Sequence, residues 1–116
     1  MNNFIIILFV LAIGFVSMWP MNELLEKAQH YEEALEYMES GNYRLCKSMF
    51  GQLSGYKEAE IFYVYSHLKC IYNPDDPSNT AYAYQMVQTI PRNYSGKYAG
   101  EIKELCVQIE NSYNKA

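Results

Sequence analysis

No charged side chain occurs before Glu23: every Asp, Glu, Lys and Arg of this 116-residue chain lies at that position or beyond. Basic runs are missing as well. Nine Lys and Arg stand against thirteen Asp and Glu, for a net charge of −4, and the cations are scattered. That distribution excludes the basic footprint that nucleic-acid binding requires. Cysteines are few: Cys46, Cys70 and Cys106 are odd in number and widely spaced. Such a set is no disulfide framework and sits best as free thiols in a reducing compartment. Strand signals are poor. There is no glycine-rich loop to cradle a phosphate, and no nucleophile motif surrounds any cysteine, which removes the usual sequence grounds for an enzyme.

What the charge-free leader does contain is apolar bulk. Phe4 to Val16 are thirteen consecutive apolar residues, and the stretch extends to Trp19 before Pro20 interrupts it. Residues 4–19 approach the length of about 17 residues that a membrane-crossing helix needs. Trp19 suits the headgroup level, and Pro20 stops the helix there. A cleaved secretory signal is the rival reading, because its apolar region runs about 7–15 residues. Its flanks fit less well: no Lys or Arg precedes the run, and Val16-Ser17-Met18-Trp19 offers no small-x-small cleavage site. The expectation is a retained single-pass anchor over residues 1–21, followed by a helical domain over residues 22–116. The short uncharged tail and the free thiols place that domain on the cytoplasmic side; the glycosylation triplet Asn93-Tyr94-Ser95 points the other way.

Beyond Asn22 the apolar residues recur at helical spacing. Leu24, Leu25, Ala28, Tyr31, Leu35 and Met38 form one stripe, which predicts an amphipathic helix. Asn22 is its expected N-cap, and Ser40-Gly41-Asn42 carries C-cap chemistry. Further helices are expected over about 43–53, 56–72, 79–89 and 97–113, separated by Ser54-Gly55, by the proline-rich stretch Asn73 to Asn79, and by Arg92 to Gly96. Five helices with short connections imply an all-α antiparallel array of helical hairpins. An internal echo supports repetition: Gly55-Tyr-Lys-Glu-Ala-Glu-Ile61 aligns with Gly96-Lys-Tyr-Ala-Gly-Glu-Ile102.

From Tyr31 to Leu53 the chain resembles the tetratricopeptide repeat family. Ala34 and Tyr37 occupy the small and aromatic places of that family's first helix, Gly41-Asn42-Tyr43 matches its turn, and Cys46, Phe50 and Leu53 stand at its second-helix positions. Ala83, Val87 and Ile90 follow the same scheme loosely, and the loop at Asn73 to Asn79 is longer than the family's tight turn. The resemblance implies one good repeat, one degenerate repeat and a capping helix, with a groove that binds a peptide or protein partner.

Chemistry-bearing clusters are sparse. His67 and Cys70 stand one turn apart, too small a set for a structural zinc site. Glu32-Glu33 reads as a solvated pair, and Asp75-Asp76 lacks the spacing of a calcium loop. No metal, cofactor or catalytic residue is expected. The twelve tyrosines are the unusual feature; tyrosine is favoured at interfaces and equally able to fill a small core. The candidate partner-binding residues are Tyr31, Leu35 and Met38 on the first helix and Tyr63 and His67 on the third. The expected function is a non-catalytic, membrane-anchored interaction module, an adaptor or scaffold. The alternatives are a small structural subunit of a membrane complex and a secreted binding protein released after signal cleavage.

Overall fold

The structure, a computed structural model, describes residues 21–115. Five α-helices follow in order: α1 (Met21–Glu39), α2 (Tyr43–Gly51), α3 (Ala59–Ile71), α4 (Thr80–Val87), introduced by a short 3₁₀ turn at Pro77–Asn79, and α5 (Ala99–Lys115). Successive helices pack on one another, most extensively α2 against α3 and least so α3 against α4.

The turn between α1 and α2 is built from adjacent residues. Gly41 adopts φ +86°, the left-handed conformation that costs glycine nothing. Its N–H donates to Met38 O at 3.1 Å and the N–H of Asn42 donates to Tyr37 O at 2.9 Å, the paired bonds of a Schellman ending. The side chain of Asn42 then accepts from the Leu45 N–H at 3.4 Å and caps α2. One asparagine closes the first helix with its backbone and opens the second with its side chain.

Helices α2 and α4 end alike. In α2 and just after it, Cys46, Phe50 and Leu53 are buried; in α4 and just after it, so are Ala83, Val87 and Ile90 at the same spacing. Each run finishes with tightened three-residue bonds, Leu53 N–H to Phe50 O at 3.0 Å and Ile90 N–H to Val87 O at 3.1 Å. The segments that echo one another in sequence also share a backbone feature. The third residue of each, Lys57 and Tyr98, has positive φ, 47° and 60°. These left-handed residues delay the helices, so that α3 begins at Ala59 rather than Tyr56 and α5 at Ala99 rather than Lys97.

The core runs through the middle of the array. Phe50 and Phe62, 1% and 0% exposed, meet at a centroid distance of 5.4 Å. Tyr31 packs edge-on to Phe50 and Tyr56, in the geometry aromatic quadrupoles favour. Beside them the small side chains Cys46 and Ser66 let α2 and α3 approach, with Sγ and Oγ 3.1 Å apart in a buried hydrogen bond.

The membrane reading is corrected at this point. Among the described residues no helix is long and apolar enough to cross a membrane. Even α1, the longest, carries six glutamates and a lysine, charges too costly to place in hydrocarbon. That finding overturns the single-pass fold assignment and the membrane localisation drawn from it. The stretch 4–19 on which they were based lies outside the described residues. The all-α character and the five helices agree with the sequence reading.

Two stability outcomes follow. Phe62→Ala empties the site where three helices meet and should cost about 3–5 kcal/mol, read as a lowered urea midpoint, whereas Leu25→Ala, at a side chain 61% exposed, should stay within about 0.5 kcal/mol. Gly55 sits at φ +83° with open space around it, so Gly55→Ala should lose about 1–2 kcal/mol through backbone strain alone, measured the same way.

Candidate functional site

The helix spacing of α2, α3 and α4 leaves a groove of about 670 Å³ between α2 and α4, floored by α3. Ile61, Tyr63, Val64, Met86 and Pro91 give it an apolar lining, and Lys57, Glu58 and Glu60 stand at one end. Gly51 makes room for the floor: a Cβ there would lie 3.3 Å from Cε2 of Tyr63. The three charges are already engaged within the fold. The Tyr31 hydroxyl donates to Glu58 Oε2 at 3.1 Å. Glu60 Oε1 accepts from Ser54 Oγ and from the Gly55 N–H, each at 3.2 Å. The Lys57 ammonium lies over the rings of Tyr31 and Tyr56, 5.3 and 5.5 Å from their centroids.

One helical turn further along, three helices contribute one residue each to a polar triad. Lys47 Nζ on α2 is 3.3 Å from His67 Nδ1 on α3, and His67 Nε2 is 3.2 Å from the Tyr82 hydroxyl on α4. An ammonium has donors only, so Lys47 donates to Nδ1, and the proton of the neutral ring is assigned to Nε2, which donates to Tyr82. Tyr63 stacks on the imidazole, with centroids 6.2 Å apart and planes 14° apart, and Tyr82 meets it edge-on. Burial, and then the Lys47 charge, hold the His67 ring below its ordinary pKa. The ring is therefore neutral near pH 7.

The five residues singled out in the sequence do not form one surface. Tyr31, Leu35 and Met38 are 4%, 3% and 4% exposed; they belong to the core, because the apolar stripe of α1 is the face that α2 and the start of α3 cover. Burial and the bond to Glu58 push the Tyr31 hydroxyl well above the usual tyrosine range. Tyr63 and His67 are brought together, and they face α2 and α4 rather than α1. Lys47, Tyr82 and Met86, which complete the site, were missed. Lys47 and Gly51, Tyr63 and His67, and Tyr82 and Met86 are all four residues apart, so a helical wheel places each pair on one face. It does not say which three faces meet.

The opposite side of the array is acidic. Tyr98, just before α5, packs on Phe62 and donates its hydroxyl to Glu39 at the end of α1. Burial and that carboxylate push it up to about 12. Two of the thiols, Cys46 and Cys106, are poor nucleophiles: burial raises both, and only thiolate reacts. Among the described residues no three His, Cys, Asp or Glu side chains are gathered to hold a metal ion. Comparison of the chain with protein-family models, with curated proteins and with solved structures finds no match.

The depressed His67 pKa has a stability consequence. The unfolded chain takes up the proton first, so the contribution of the neutral ring is fully present above the ordinary histidine pKa of about 6.5. It is lost as pH falls through the lower folded value. The urea midpoint of the full chain should drop between about pH 7 and about pH 5.5, and His67→Gln, which has no proton to gain, should flatten that drop.

Proposed function

We propose that this chain is a non-catalytic protein-interaction module that binds a peptide or protein segment in the groove between α2 and α4. The observation that carries the reading is the groove itself: an open, mostly apolar trough whose lining of Tyr63, Val64 and Met86 is only partly buried. Its size lies within the range of about 300–1,000 Å³ typical of ligand sites. Apolar side chains left half covered along a trough favour an occupant with apolar anchors of its own.

The resemblance to tetratricopeptide repeats supports an interaction role. Cys46, Phe50 and Leu53 are buried at the second-helix positions of that scheme, and the Gly41-Asn42-Tyr43 turn closes the first hairpin. Ala83, Val87 and Ile90 favour a second hairpin of the same design. A non-catalytic role is favoured by the composition of the site: its one histidine is held between a lysine and a tyrosine, and neither bond joins it to a serine, threonine or cysteine.

The test is affinity purification of the full-length chain, with quantification of the proteins recovered. Met86→Asp places a carboxylate on the groove wall and should reduce recovery of the partner at least about tenfold, with the helical circular dichroism unchanged. Leu25→Ala, outside the groove, should recover it fully. Equal recovery with a folded Met86→Asp protein would remove the groove from the binding surface.

A further inference from the structure

We propose that the groove selects an apolar segment that carries a carboxylate, whose apolar side chains lie on Tyr63, Val64 and Met86 while the carboxylate pairs with Lys47 beside His67. This rests on the interaction reading above and names the chemistry of the partner.

Charge is segregated across the array. No Asp or Glu occurs between Glu39 and Glu58, or between Asp76 and Glu101. Those two intervals hold α2 and α4, the walls of the groove, and their only charges are Arg44, Lys47, Lys57, Arg92 and Lys97. Nine of the thirteen carboxylates stand on α1 and α5 instead. At the far end of the groove Glu58 and Glu60 are bound internally and Lys57 lies over the Tyr31 and Tyr56 rings, as described; at the other end Lys47 stands one helical turn beyond Gly51 of the lining, on the same face of α2.

Lys47 is half-buried and is offered no carboxylate among the described residues; its one polar partner there is the imidazole. An ammonium has three N–H donors, so two remain for a ligand. An anionic group can take those two donors in charge-assisted hydrogen bonds. The groups that face His67 are Lys47 from α2, Tyr63 on α3 itself and Tyr82 from α4; none is acidic. A ligand carboxylate would be the first negative charge near the ring. It would favour the imidazolium, whose Nδ1–H can then donate to the ligand in place of accepting from Lys47. Docking of a carboxylate and uptake of a proton at His67 are therefore linked, and binding tightens as pH falls.

The experiment is selection of a random peptide library, about 12 residues long, on the full-length protein at near-physiological salt. The enriched peptides are then synthesised and their affinities measured. The expected result is enrichment of Asp or Glu beside Leu, Ile or Phe. Binding should weaken about tenfold or more when that acid is amidated or when Lys47→Met is introduced. Lys47→Arg should restore it. Affinity should rise about threefold or more between about pH 7.5 and about pH 6, and His67→Gln should abolish the rise. Enrichment of neutral or Lys/Arg-rich peptides, or binding indifferent to Lys47→Met, would overturn the charge assignment while leaving the groove reading intact if Met86→Asp still abolishes binding. No enrichment at all, or binding that survives Met86→Asp, would sink both.

Discussion

The seam between α2 and α3 is the constraint on which the rest depends. Phe50 and Phe62 fill it, and Cys46 and Ser66 narrow it. Four small or flat side chains let two short helices bury their facing sides completely, in a domain with little length to spare for a core. Everything else is arranged about α3. Its Phe62 edge receives Tyr31 from α1 and Tyr98 from the approach to α5. Its opposite edge, Tyr63 and His67, is left for the groove. Had the seam held larger residues, α2 and α4 would stand further apart and the triad of Lys47, His67 and Tyr82 could not close.

The groove and the acidic side owe their difference to the same geometry. Hairpins that stack in register put alternate helices on alternate sides, so a bias in charge between alternate helices becomes a bias between faces. Glutamates on α1 and α5 fall to one side, and the carboxylate-free helices α2 and α4 fall to the other. A bridge between the ends of the acidic side, Tyr98 to Glu39, ties the approach to α5 to α1 without drawing on the groove residues.

Much of this was legible in the sequence, and the exceptions have physical reasons. Apolar spacing of three and four marked the helices, and Ser40-Gly41-Asn42 marked the first turn, because both signals act over one or two helical turns. The late starts of α3 and α5 were not legible: they turn on left-handed Lys57 and Tyr98, residue types that give no hint of positive φ. Tyr31, Leu35 and Met38 were read as a binding surface because a stripe reveals which side is apolar and not what covers it. Lys47 escaped notice because its meaning comes from His67, twenty positions away, and cross-helix register is set by packing alone. The leader tempted a membrane assignment on hydropathy, and no described helix sustains it.

The dual role of Asn42 bears on the order of folding. The bonds that turn α1 into α2 all join residues no more than five apart, so this hairpin can assemble with little loop-closure entropy and before any distant contact exists. The passage from α3 to α4 spans a longer loop, stitched by its own Asn73 and Asp76 side chains, and ends on the least extensive helix pairing of the array. The N-terminal hairpin is thus the natural template, and α3 condenses on it through Phe62. The groove, whose far wall is α4, therefore hangs on the sparsest pairing between neighbouring helices.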